Sequence, residues 1–473
     1  MQEDYKYEVD PETGNTVENR FTTYTAPSGA SSDRQEHEPA IGEKTAYSIE
    51  GGSEVVYLSR AAFSRTFPVR RVRDMTEIAQ NSAGDSTPVV HSEDAMPVTG
   101  ASGTEQVSDI IKVKTDEAGN PTYQPQYYVD EALFDKLISR LTVNEMFQMI
   151  GAASSSSANA ASSIGLPGRV YKDGPSGISG TFVGAGGDES ATNFPCEVAV
   201  AATWNWFLAY QLGLSVGSEC VATSTAGWYG PACNLHRDPL GGRNYEYYSE
   251  DSYLSGVMCA YTVRGAKEMG IMCWVKHIAA NDDEVWRVGK YTWMTEQTFR
   301  ETYLLPFRMT VQLGEANAMM AAFNRVGSVR AGSSYALMTE VLREEWGFKG
   351  AVITDAYAAD RNDPDECIRA GVDCLLSWGT SVVTNWDDRT SATAVLAMQQ
   401  ACKNVLISYI DCRYTALMAD SLTLNSLIGD NLEIFAWWKV VLYAVDFAVV
   451  AGLVAWCVVT TVTSVKKIGK SKA

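Results

Sequence analysis

Four short polar clusters follow directly on apolar runs of strand length in this chain. They carry the residue types that nucleophilic, acid–base and charge-assisted chemistry require. His236-Arg237-Asp238 follows Gly230 to Leu235, and Lys276-His277 closes Ile271 to Val275. Asn324-Arg325 follows Ala316 to Phe323, and Asp355 follows Gly350 to Thr354. Residues at the carboxyl ends of parallel strands converge on one face of an α/β barrel, where loops meet and solvent enters. A carboxylate placed like Asp355 can act as a nucleophile or a general acid or base; it can equally cap the helix that follows its strand. His277 could equally be a buried core histidine, but the adjacent Lys276 would be costly to bury unpaired.

The elements that would position these residues are legible as a pattern. Ala132 to Leu141 has helical periodicity, and Thr142 stands three residues before Glu145, the spacing of a capping box at the start of a second helix. Val372 to Leu376 reads as a further strand, and Tyr253–Glu268, Glu296–Leu313, Tyr335–Trp346 and Ala392–Tyr409 read as helices between strands. Strands alternating with helices over most of 126–420 predict an α/β fold, a TIM-like (β/α) barrel.

Composition bounds the partners. Lys plus Arg is 38 against 57 Asp plus Glu, a net charge of -19, which repels phosphate backbones and excludes a nucleic-acid-binding role. The ten cysteines lie singly, with no paired spacing, and there are four histidines. No metal and no cofactor are expected from such a set. Residues 1–125 are rich in Ser, Thr, Glu, Asp, Gly and Pro, poor material for a core, and read as a polar arm or the remnant of a preceding domain. Met1 is followed by polar residues without the apolar core of a secretory signal.

At the other end, Val440 to Val465 is about 26 residues with one charge, Asp446, long enough to span a hydrocarbon core. Trp437 and Trp438 precede it, and Lys466, Lys467, Lys470 and Lys472 follow it. Residues 437–465 therefore read as a transmembrane helix and 466–473 as a basic cytoplasmic tail. The barrel would then lie on the extracellular side of the cell membrane, held by a single pass.

The stretch 230–251, GPACNLHRDPLGGRNYEYYSED, strongly resembles the signature of glycoside hydrolase family 3. Lys172-Asp173-Gly174-Pro175, Lys276-His277-Ile278-Ala279-Ala280-Asn281 with Glu284 and Arg287, and Thr354-Asp355 match further motifs in the same order. The resemblance covers about residues 130–418. It implies a retaining, exo-acting β-glycosidase, β-glucosidase-like, that hydrolyses O-glycosyl bonds at non-reducing ends of oligosaccharides or β-glycosides. It also implies Asp355 as the catalytic nucleophile, and Asp173, Arg243, Lys276 and His277 as ligands of the terminal sugar's hydroxyls, work suited to charge-assisted hydrogen bonds.

Three departures qualify what it implies. Phe323 stands where many members have Tyr, and Ala356 where many have Trp, with Tyr357 a neighbouring aromatic. In typical members the acid/base comes from a separate α/β sandwich domain, and no residue of this chain matches it. Permuted members, with the sandwich before the barrel, share the tail-end layout seen here. The general acid is left unassigned, and a membrane-tethered sugar-binding barrel without catalysis is the alternative reading.

Overall fold

In a computed structural model of the chain, the described residues are 8–21, 47–49, 53–55, 96–115, 117, 121–125, 131–151, 157–178, 191–285, 287–288, 291–292, 294–327, 329–356, 363–377, 386, 388–421, 444–445, 447–453, 456 and 460. The centre is a parallel sheet of β1 (Arg169–Asp173), β2 (Gly227–Tyr229), β3 (Met272–Ile278), β4 (Ala318–Ala321) and β5 (Ala351–Thr354), side by side in chain order. The three later strands are buried along their whole length, which is why they read as near-continuous apolar runs, interrupted by Lys276 and His277 in β3, and not as alternating ones.

A sixth strand position is marked by the parallel bridge between Ile353 and Cys374. Beyond it, the Leu375 N–H donates to Ile150 O at 2.8 Å, so the sheet curls until its last segment meets the helix that precedes its first strand. At the other edge, Ser157–Ala158 lies antiparallel to β1. Among the described residues the expected TIM-like barrel is therefore an α/β fold with a curled parallel half-barrel. Its first strand is flanked by an antiparallel edge and not by another strand–helix repeat. The expected strand over 230–235 is also corrected. The strand proper is β2, and Pro231, which has no N–H to give a ladder, is followed by isolated bridges from Ala232 to Lys276 and to Tyr247.

Helices cover the outside of the sheet. They are α1 (Glu131–Arg140), α2 (Val143–Gly151), α3 (Glu197–Ala201), α4 (Trp206–Ala222), α5 (Ser252–Glu268), α6 (Leu305–Gln312), the π-wound α7 (Ala336–Glu345), α8 (Pro364–Ala370) and α9 (Ala392–Ser421). The capping box forms as the spacing predicts: Glu145 N–H donates to Thr142 Oγ1 at 3.1 Å and Thr142 N–H to Glu145 Oε2 at 3.1 Å. Such a cap contributes about 1 kcal/mol. Helices α4 and α5 approach closely through glycine, since a Cβ on Gly213 would collide with Thr262 O and one on Gly265 with Tyr210 O.

Residues 8–21 of the polar arm are strapped to the outer helices. Phe21 is buried edge-on against Phe299, with ring centroids 4.8 Å apart, and its N–H donates to Glu296 Oε2 at 2.6 Å. Arg308 pairs with Asp10 at 3.0 Å, and Arg300 binds both Glu345 and the Glu18 carbonyl. The arm supplies little core but satisfies buried charges that the helices present.

Among the described residues no helix is long and apolar enough to cross a membrane. Most of the expected transmembrane segment 437–465, and all of the tail 466–473, lies outside the described residues. The described parts, 444–445, 447–453, 456 and 460, are helical, and Phe447, Val449, Val450, Leu453 and Trp456 are exposed there.

Candidate active site

The sheet brings all five sequence-derived site residues to one cleft. Asp173 ends β1, Lys276 and His277 lie in β3, Asp355 follows β5, and Arg243 begins the tight turn Asn244–Glu246. The cleft measures about 410 Å³ including its open mouth and is lined also by Tyr229, Arg287, Met320, Ala356 and Leu376. Strand β3 delivers two side chains through a register shift. Met320 pairs with Lys276 and Ala321 with Ile278, which leaves His277 as the extra, unopposed residue. A bulge of this kind re-aims a side chain at the end of a strand.

Two of the four polar clusters do not reach the cleft. His236 Nε2 bonds the Tyr247 carbonyl at 2.8 Å, and Asn324 Nδ2 donates to Ala279 O at 2.9 Å. Both are used to hold loops, the common role of polar residues after strands. Tyr357 lies outside the described residues.

The site is a row of alternating charges. Lys276 Nζ is 2.9 Å from Asp173 Oδ1 and 3.5 Å from Glu246 Oε2, Arg243 Nε bonds Glu246 Oε1, and Arg243 Nη1 lies 3.1 Å from His277 Nε2. Burial alone would lower the pKa of Lys276, but Asp173 and Glu246 outweigh it and raise it. Burial works against the charge of Glu246 too, and Lys276 and Arg243 overcome it, holding the carboxyl below its usual range. The opposite holds for His277: burial, reinforced by Arg243, Lys276 and Arg287, pushes its pKa well down and keeps it neutral. Because a guanidinium only donates, His277 Nε2 is the acceptor and the ring proton sits on Nδ1.

Asp355 ends the row. Its Oδ1 accepts the Ala356 N–H at 2.6 Å, while Oδ2 is buried without a hydrogen-bond partner, 3.6 Å from His277 Nε2 and 3.9 Å from Arg287 Nη1. Burial raises its pKa above the ordinary aspartate value, with Arg287 and Arg243 acting in the opposite direction. The arrangement offers one unbonded carboxylate oxygen in a cleft whose walls present fixed donors and acceptors suited to hydroxyl groups.

This geometry meets a consistent set of likenesses. The sequence model of the glycosyl hydrolase family 3 N terminal domain matches residues 129–405, more than half of the chain. The chain belongs to glycosyl hydrolase family 3. It is 30% identical over 288 residues to "Probable beta-glucosidase I" of Aspergillus flavus, covering 59% of this chain and 33% of that protein. Against "Probable beta-glucosidase K" of Emericella nidulans the identity is 35% over 210 residues, covering 44% and 24%. Among solved structures, beta-glucosidase 3B from Thermotoga neapolitana in complex with alpha-D-glucose matches with a TM-score of 0.52 and 29% identity, over 59% of this chain and 42% of that one. The chain thus spans a quarter to a third of the curated relatives' length.

Two further carboxyls of this family 3 domain belong to the site's surroundings. Glu246 lies inside the 230–251 signature but gave no reason there to be singled out; the structure makes it the link between Lys276 and Arg243. Glu197, on α3, is buried with neither carboxylate oxygen hydrogen-bonded, and burial together with the charge of Glu246 raises its pKa well above the carboxylate range. Nothing in the apolar run around it marks it as a neighbour of the site.

Proposed function

We propose that this chain is the nucleophile-bearing half of a retaining, exo-acting β-glycosidase of β-glucosidase type. The observation that carries the reading is Asp355 Oδ2, a buried carboxylate oxygen with no hydrogen-bond partner at the floor of a cleft walled by Asp173, Arg243, Lys276 and His277. In this reading those four residues bind the hydroxyls of the terminal sugar and place its anomeric carbon against Asp355. Oδ2 attacks that carbon as the bond to the aglycone oxygen breaks, giving a glycosyl ester. Water then attacks the same carbon and releases the sugar and the free carboxylate. The leaving oxygen needs a proton in the first step, and the water must lose one in the second. A separate domain, of the kind that the relatives' greater length accommodates, supplies the group that does both.

The test is mass spectrometry after incubation with dinitrophenyl 2-deoxy-2-fluoro-β-glucoside, whose fluorine slows breakdown of the ester. A stable added mass mapping to Asp355, and absent in Asp355→Asn, is expected. Labelling of another carboxylate, or unchanged turnover in Asp355→Asn, would remove the assignment. The alternative, a sugar-binding barrel without catalysis, is favoured by one feature: of the two carboxyls lining the cleft, Asp173 is already committed to Lys276.

We also propose that 437–465 anchors the protein in the cell membrane with 466–473 on the cytoplasmic side and the barrel outside. The length and flanks of the segment support this, and so do the apolar side chains exposed along 447–456. Alkaline carbonate should leave the full-length chain in the membrane pellet; its release into the supernatant would overturn the anchor.

A further inference from the structure

The two oxygens of Asp355 are held differently. Oδ1 accepts the Ala356 N–H, whereas Oδ2 is buried and accepts no hydrogen bond. An unbonded buried anionic oxygen is unfavourable unless a charge offsets it. His277 Nε2, at 3.6 Å, cannot serve: it is neutral, and it turns toward Arg243 the lone pair that a hydrogen would have to replace. Lys276 is engaged by Asp173 and Glu246, and Arg243 by Glu246 and His277. Arg287 remains, its Nη1 3.9 Å from Oδ2 and buried without a hydrogen bond of its own. Two complementary groups thus face one another just beyond bonding distance.

What holds them apart is visible. Arg287 Nη1 is 3.0 Å from Glu284 Oε2, and the guanidinium lies over the Phe323 ring, 4.8 Å from its centroid. Glu284 is itself fixed, its Oε1 accepting Asn281 Nδ2 at 3.2 Å. A direct fork from Arg287 to Asp355 would occupy the lone pairs that a nucleophile needs. At its present distance the cation favours the ionised carboxylate and leaves the oxygen unbonded.

We propose that Arg287 is the positioning residue of Asp355, supported on Phe323 and restrained by Glu284 so that it stabilises the carboxylate charge without hydrogen-bonding the attacking oxygen. That Asp355 is the attacking group rests on the glycosidase reading; the arrangement of the four side chains does not. The charged groups facing Asp355 are Arg287 and Arg243 from the loops, Lys276 from β3 and, behind Arg287, Glu284. From β4 and the residues just after it, Met320 and Phe323 bring no charge. Consistent with this, Arg287 is the strongest influence opposing the upward push of burial on Asp355.

The experiment is a carbon-13 NMR titration of the full chain carrying labelled aspartate carboxyls, with the Asp355 signal identified by its loss in Asp355→Asn. Arg287→Gln should raise the Asp355 midpoint by about one pH unit or more, a tenfold change in its acid dissociation constant. Glu284→Gln should move it in the opposite direction, because a released Arg287 can close on the carboxylate. Phe323→Leu, which keeps the cation but removes its platform, should raise it by less than Arg287→Gln. A purely structural role for Arg287 would leave the midpoint in place, and a midpoint unmoved in folded Arg287→Gln and Glu284→Gln overturns the proposal. If Arg287→Gln does not fold, the downward shift in Glu284→Gln carries the test. The titration needs no turnover. A chain that titrates as expected but takes no fluoroglycosyl label refutes the glycosidase reading and keeps this one, and a labelled chain with unmoved midpoints does the reverse.

Discussion

Substituting methionine for Lys276 should lower the stability of the chain by about 3–5 kcal/mol, the usual result of removing one partner from a buried ion pair. The Lys276 side chain is only 4% exposed and faces Asp173 and Glu246, of which Glu246 is 3% exposed. Methionine is close in shape, so packing changes little. The loss comes from two carboxylates left near each other with half their compensation gone. Removing the second charge as well, in Lys276→Met with Glu246→Gln, should recover a large part of it, since the amide oxygen can still accept from Arg243. Urea denaturation of the full chain measures both. A loss below about 1 kcal/mol in the single variant would mean that the row is solvated and behaves as a surface pair.

The same row predicts how that difference depends on pH. Glu246 has its pKa lowered in the folded chain, so its contribution is present above the unfolded glutamate value of about 4.3 and is lost as pH falls through the folded pKa. Lys276 has its pKa raised, so its contribution is complete below about 10.4 and is lost as pH rises through the folded pKa. Wild type and Lys276→Met should therefore differ most across the neutral range and converge as Glu246 takes up a proton in acid.

The sequence exposed those parts of the site that local pattern determines. An apolar run followed by a polar residue locates a strand end, which is how Lys276, His277 and Asp355 could be placed on one face, and a Thr three residues before a Glu locates a cap. What it could not expose depends on which side chains meet across the sheet. Glu246 and Arg287 were inside quoted motifs, but only the curl of the sheet brings Glu246 under Lys276 and Arg287 beside Asp355. For His236 and Asn324 the same strand-end logic misleads, because their side chains turn back onto carbonyls of neighbouring loops. Glu197 was invisible for a stronger reason. A glutamate in an apolar run gives no sign that it is buried unpaired beside another carboxyl. Strand and helix alternation made the TIM-like order of the parallel sheet legible, but not how far the sheet curls among the described residues.

The chain by itself should cleave only glycosides whose leaving group needs no proton. General acid catalysis assists departure of a poor alkoxide and contributes about 10² to 10⁴ in rate, whereas dinitrophenolate leaves unprotonated. Hydrolysis of dinitrophenyl glucoside should therefore proceed through Asp355 while cellobiose stays intact. Adding a sandwich domain of the family's kind should restore cellobiose cleavage by a factor in that range. Glu284 is the nearby carboxylate that could stand in for the acid, and its contacts argue against it. One oxygen accepts from Asn281 and the other pairs with Arg287 at 3.0 Å, so both are already engaged, and Glu284 does not line the cleft. Glu246 is likewise held between Lys276 and Arg243. Burial pushes Glu197 toward the protonated state, but it does not line the cleft. Efficient cellobiose hydrolysis by the isolated chain, if lost in Glu284→Gln, would identify Glu284 as the acid and would also contradict the restraint on Arg287 argued above. Survival of that activity in Glu284→Gln would exclude Glu284 as the acid.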